Sequence, residues 1–265
     1  MSDWIEALPV AWMGVVVFGG TFLVAGAIYL LVIHLASEER ARAFKGVSPG
    51  LLPPLGIIFG LLVAFVAAQV WGDNDRATAA VNREASALRA VVLLSRAFPG
   101  EADTRMRSLI TRHIREAADV EWPAMARHDE TLAMIPAALG DALALAVALP
   151  ASGEGQADAQ REMIRALEDA LDARRQRILI SQSAVNWVKW VTLIVQAICM
   201  LVAVAMVHSD NPATTRITLG LFSTSVAVCM LLILAHDRPF HGQLAVKPTV
   251  LMQVAPDSPV ARAAP

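Results

Sequence analysis

Four apolar runs, near residues 10–34, 51–71, 187–207 and 215–236, constrain this chain more than any other feature of it. A helix needs roughly 20 apolar residues to cross about 30 Å of hydrocarbon, and inside hydrocarbon only a structure that satisfies its own backbone hydrogen bonds survives. Each run is long enough, and three lack Asp, Glu, Lys and Arg in their central turns. The fourth begins at Arg216 and stops before Asp237, which leaves its charges at the ends, where head groups solvate them. Trp4, Trp12, Trp71, Trp187 and Trp190 fall near the edges of the runs, as an aromatic belt requires. Composition agrees: at 56% hydrophobic and mean hydropathy +0.52, 265 residues are too apolar for a soluble domain. "MSDWIEALPVAW" carries Asp3 and Glu6 where a cleaved signal would carry Lys or Arg, so the first run is expected to remain as a span.

Residues 72–186, between the second and third runs, read as all helix. Val81, Ala85, Leu88 and Val92 recur at steps of four, three and four, one face of a helix that continues the second span. Met106, Ile110, Ile114 and Ala117 form a second stripe, and Met163, Leu167, Leu171 and Ile178 a third that runs into span three. "ALPASGEGQADAQ" reads as a loop, and "VAPDSPVARAAP" as a disordered tail. The expected fold is an all-α membrane protein: four transmembrane helices, with a helical extramembrane stalk domain inserted between helices 2 and 3. Its divisions are 1–71, 72–186, 187–242 and the tail 243–265. Amphipathic stripes bury either against one another within a chain or against other copies, and a homo-oligomer is expected.

The second span has two distinct faces. Gly56, Gly60, Ala64 and Ala67 or Ala68 form a small-residue face that lets another helix approach closely. Ile58, Leu62, Phe65 and Gln69 line the other side. That bulky face points at lipid or at the axis of an oligomer; on an axis, rings of Ile58, Leu62 and Phe65 would gate ions by dewetting. Gln69 and Gln196 prefer protein or water to hydrocarbon. Gly72 is expected to kink the stalk that continues the second span, and Asp73 and Asp75 beyond it are read as caps of the stalk helix. At a pore mouth the same carboxylates would favour cations.

No enzyme constellation emerges, and no cofactor is expected. G-x-S-x-G, Walker A and H-E-x-x-H are absent, and the six histidines are scattered except in "HDRPFH", whose spacing is weak for a metal. Cys199 and Cys229 lie inside spans and imply no disulfide framework. A net charge of -2 gives no basic field for nucleic acid. Asp237, Arg238, Pro239, Phe240 and Gly242 make a membrane-surface motif in which Pro239 and Gly242 force a turn after span four. Glu84 and Glu121 are solvated or paired with Arg174, Arg175 or Arg177; those arginines make a solvated face, or in an oligomer a positive ring that concentrates anions. Arg40, Arg42 and Lys45 in the first loop compete for the cytoplasm with Arg76, Arg83, Arg174, Arg175, Arg177, Arg238 and Lys247. The latter group places both termini and the helical domain on the cytoplasmic side.

"PLGIIFGLLVAFVAAQVW", "RATAAVNREASALRAV", "EWP" at 121–123, "LDARRQRI" and "DRPFHG", in this order, resemble a family of bacterial and plant membrane proteins described as bestrophin-like. The resemblance implies kinship with bestrophins: pentameric anion channels whose second membrane helix lines the pore and whose helical cytosolic region extends it. Ile58, Leu62 and Phe65 would then form the neck, with Glu84 on the stalk beyond it, in a bacterial inner membrane. No acidic run resembles the bestrophin calcium clasp, so calcium gating is not expected. Two functions stand: an oligomeric ion channel, anions slightly favoured, whose partners are membrane lipid, inorganic ions and its own copies; or a non-conducting scaffold or sensor whose stalk binds a cytosolic partner.

Overall fold

The computed structural model describes residues 5, 8–35, 38–129, 132 and 136–257, and for 38–49 the backbone alone. Among these the regular elements are helical: α1 (Val10–Leu35), α2 (Glu38–Leu94), α3 (Glu101–Glu116), α4 (Trp122–Ala126), α5 (Ala137–Ala148), α6 (Glu154–Ser181), α7 (Trp187–Val207), α8 (Pro212–Ala235) and α9 (Thr249–Gln253). A 3-10 turn occupies Ser95–Ala97 and a π-helical turn Ala117–Glu121. The four expected spans are present: α1, α2, α7 and α8 each carry an apolar window long enough to cross a bilayer.

At 57 residues, α2 is more than twice as long as a crossing needs. It passes through Gly72 without a break, so the apolar run and the charged run are one helix. This corrects the role expected of Asp73 and Asp75: there is no N-terminus for them to cap. Asp73 is buried and pairs with Arg76 one turn on.

The chain divides into two compact units. The first comprises Met1–Gly72, Ala184–Asp237 and Gly242–Leu244; the second comprises Asp73–Ser183, Arg238–His241 and Ala245–Pro265.

In the first unit α1 packs on α8 and α7, and α7 on α8. Leu193, Ala197, Met200 and Val204 on α7, with Val226, Met230 and Ile233 on α8, follow the i, i+3, i+4 spacing that turns one helix face inward. Phe59, Val66, Ala67 and Val70 of α2 join them. The apolar windows of α7 and α8 are 44% and 39% buried, against 17% for α1 and α2, so α7 and α8 form the interior while α1 and α2 turn most of their apolar surface outward. Three threonine hydroxyls in the spans bond to their own helix: those of Thr21, Thr192 and Thr224 donate to the carbonyls of Val17, Val188 and Gly220, which hides them from hydrocarbon. Gln196 Nε2 donates across to the Leu55 carbonyl at 3.2 Å, so of protein or water, the two environments expected of it, it finds protein.

The ends of the spans are capped. The side-chain oxygens of Asn186 and Asn211 accept the first free N–H groups of α7 and α8, and Pro212 starts α8 with its preset φ. Asp237 Oδ1 accepts the Val185 N–H at 2.6 Å, fastening the end of α8 to the segment before α7. Trp12, Trp71 and Trp187 face outward as a belt would, whereas Trp190 is buried in the core. Trp4 and the side chains of Arg40, Arg42 and Lys45 lie outside the described residues.

The second unit buries the three predicted stripes within one chain. Val81, Leu88, Ile110, Ile114, Met163 and Leu167 share a single core. A fourth wall, α5, was not evident from its sequence: "AALGDALALAVA" is apolar on most sides and shows no stripe. Ala138, Leu139, Ala142 and Ala146 turn inward, and alanine lets α3 and α6 pack closely against them. Leu251 and Ala255 enter the same core, so the stretch expected to be a disordered tail is packed at its start; residues 258–265 lie outside the described residues.

Candidate functional site

Ile58 and Phe65 stand on the outward side of α2, 49% and 66% exposed, with Leu62 and Gln69 half-buried on its flank. The small-residue face is divided. A Cβ at Gly56 would meet Met200 Cε of α7 at 3.7 Å, whereas one at Gly60 would meet nothing within 4 Å, and Ala64 is exposed. Within the protomer, then, this face touches a neighbouring helix at Gly56 and is open at Gly60 and Ala64. Gln69 Oε1 accepts a hydrogen bond from Lys189 Nζ, which belongs to the first turn of α7.

A different chemistry sits inside the second unit. Arg177 of α6 is completely buried, as is Glu84, which lies beyond the apolar stretch of α2. Arg177 Nε donates to Glu84 Oε2 at 2.8 Å and Nη2 to Glu84 Oε1 at 3.2 Å. The same Nη2 donates to Glu121 Oε2 at 2.7 Å, while Arg174 donates to Glu121 Oε1 at 2.7 Å. His113 Nε2 lies 3.0 Å from Glu84 Oε1; an ionised carboxylate only accepts, so this nitrogen carries the proton. Arg177 also reaches Met125 Sδ at 3.5 Å, and its guanidinium carbon lies 4.5 Å from the Trp122 ring centroid, a cation–π distance. Two arginines and two glutamates thus balance one another.

Burial alone would raise the Glu84 pKa; the Arg177 charge, then the His113 hydrogen bond, overcome it and hold the carboxyl at about 2. Glu121 is likewise lowered, burial being outweighed by the charges of Arg177 and Arg174. Burial would lower the Arg177 pKa, and the two carboxylates push it up instead. Glu84, Glu121 and Arg177 are therefore ionised at neutral pH.

Local sequence explains how Glu121 reaches this point. Pro123 has no N–H to continue the regular ladder, and the π turn at Ala117–Glu121 inserts the extra residue that turns both Glu121 and Trp122 inward. Trp122 Nε1–H donates to the Val246 carbonyl at 2.9 Å, and Phe240 meets the Trp122 ring edge-on with centroids 5.7 Å apart. Gly242 closes the motif with φ +83°, where a side chain is strained.

Of the charges expected on the stalk, Glu84, Arg174 and Arg177 come together in this network, and Arg175 is exposed. Arg174 and Arg177 are therefore neither a solvated face nor side chains free to ring an open path. The short segments that stood out in the sequence converge here: Glu84, Glu121 with Trp122, Arg177, and Phe240. His113 was missed because a histidine among arginines reads as solvated. Its signal is spacing, since Met106, Ile110, His113 and Ala117 follow the buried stripe. Among the described residues no group of three His, Cys, Asp or Glu side chains is arranged to hold a metal.

Neither a curated protein nor a solved structure matches the chain. The family model described as the bestrophin-like domain matches residues 19–251, most of the chain, from within α1 to α9. That family implies a channel-like function in a membrane protein, and the four apolar helices agree with it. By this match, the chain belongs to the bestrophin-like domain family.

Proposed function

We propose that the protein is a homo-oligomeric ion channel in which α2 supplies the pore, with Ile58, Leu62 and Phe65 forming an apolar neck. The observation that carries this reading is the exposure of α2: its apolar window is 17% buried, with Ile58 and Phe65 turned outward, so the helix has a face free to line a shared axis. The open small residues Gly60 and Ala64 on a second sector suit close approach of a neighbouring copy's helix. Family membership supports conduction as the kind of activity; the pentamer and the preference for anions are carried over from the resemblance to bestrophins. The second unit, whose core holds the ion network, lies on the cytoplasmic side of a bacterial inner membrane.

The test is ion flux from liposomes containing the purified protein, chloride compared with potassium, for wild type and Phe65→Ala. A dewetting neck widens when its largest side chain is truncated, so selective flux that rises in Phe65→Ala is the expected result. Absence of flux from folded, oligomeric protein would instead favour a membrane scaffold whose helical unit binds a partner.

A further inference from the structure

We infer that Lys189 is the residue that sets the sign of the conducted ion. The inference rests on the pore reading above and adds a specificity-determining residue to it. Lys189 is exposed, and its side chain donates to the Gln69 amide oxygen, one helical turn past Phe65 along α2. Gln69 is a neutral acceptor, so the bond positions the ammonium without cancelling its charge. Had a carboxylate stood at position 69, the pair would have been neutral.

A second feature reinforces the first. Lys189 lies in the first turn of α7, where the aligned backbone dipoles already leave a partial positive charge. A cation is normally disfavoured there, and α7 has no acidic residue in that turn to offset it. The neutral Asn186 side chain caps the helix instead. In the first unit the other described Asp, Arg and Glu side chains are Asp210, Arg216 and Asp237; Asp237 is buried on the Val185 N–H, and the other two flank the N-terminus of α8, at the far end of α7 from Lys189. Further along the same helix Asp73 is buried against Arg76 and Asp75 is exposed, six residues past Gln69, so the charge in direct contact with the Ile58–Gln69 face is that of Lys189, which is positive. Repeated in each copy, it forms a cationic ring next to the apolar neck, which concentrates anions and repels cations.

The experiment measures reversal potential in planar bilayers under a potassium chloride gradient. Wild type and Lys189→Arg should both favour chloride. Lys189→Gln should lower the chloride-to-potassium permeability ratio on the order of tenfold, the scale by which fixed charge changes local ion concentration. Lys189→Glu should invert the preference. Gln69→Ala frees the ammonium from its support without removing it, and should weaken selectivity without inverting it. If Lys189→Glu fails to assemble, the Gln and Arg variants carry the test. A conducting Lys189→Gln channel with unchanged reversal potential overturns the assignment and leaves the pore reading intact. Wild-type protein that is folded and oligomeric yet conducts nothing overturns the pore reading, and this inference with it.

Discussion

Removing Glu84 alone and Arg177 alone should each be far more damaging than half of removing both. The four charges of the network sum to zero, with Arg177 shared between Glu84 and Glu121 and Arg174 held by Glu121. Glu84→Gln leaves two arginines against one carboxylate in a place where Arg177 has no access to solvent. An uncompensated buried charge of this kind costs about 3–5 kcal/mol. Arg177→Met leaves two carboxylates against Arg174, at a similar cost of about 3–5 kcal/mol plus about 1 kcal/mol for the lost stacking on Trp122. Independent losses would sum to roughly 7–11 kcal/mol. The double variant, however, keeps the neutral Arg174–Glu121 pair, so its cost should resemble that of one single variant, with a coupling of about 3 kcal/mol. The assay is denaturant unfolding of the full chain in detergent, followed by fluorescence in a background that retains Trp122 as its sole tryptophan. Additive losses, with coupling below about 0.5 kcal/mol, would refute the claim that charge balance holds this core.

Acid should weaken the same core. The Glu84 carboxyl is lowered from 4.5 to about 2 in the fold, so its contribution is fully present above pH 4.5 and is lost as pH falls through 2. The full difference is about 3 kcal/mol, and the acid slope of the unfolding midpoint should flatten in Glu84→Gln. Leu139→Ala, in the buried first turn of α5, should destabilise by about 2–5 kcal/mol, whereas truncating the exposed Val147 of the same helix should cost less than about 0.5 kcal/mol in the same denaturation assay. Gly72→Ala should stabilise α2 by about 0.5–1 kcal/mol, because nothing lies within 4 Å of the added Cβ and the position is interior to the helix. Gly242→Ala should do the opposite by about 1–2 kcal/mol, since φ +83° strains any side chain. Thermal melts of the two variants would move in opposite directions.

Periodicity and hydropathy made the helices legible because both are local. The four spans, the stripe from Val81 to Val92 and the interhelical role of Gln196 needed only the rules for burying apolar surface and satisfying a polar group in lipid. The continuity of the second span with the stalk helix was legible for the same reason: no proline interrupts the helix at Gly72, so backbone hydrogen bonding runs through the abrupt change of composition, and only the capping role read for Asp73 and Asp75 failed. Helix α5 was hidden because alanine and leucine on most of its faces leave no contrast to detect. Of the ion network, the pairing of Glu84 and Glu121 with the arginines was one of two open readings, and its burial was not legible. Glu84 and Arg177 are 93 residues apart, and each alone resembles a solvated charge on an alanine-rich helix. The inward turn of Glu121, the other partner of Arg177, follows a π turn at Ala117–Glu121 that no sequence period announces.

The account turns on whether the outward face of α2 borders water-filled pore or lipid. In a background lacking Cys199 and Cys229, a cysteine at Phe65 and, as a control, one at Leu23, 77% exposed on α1, can be challenged with a charged thiol reagent while current is recorded. The account predicts rapid, irreversible loss of current for Phe65→Cys and none for Leu23→Cys. Equal insensitivity of both positions in conducting protein would contradict it, because Phe65 would then face hydrocarbon as Leu23 does.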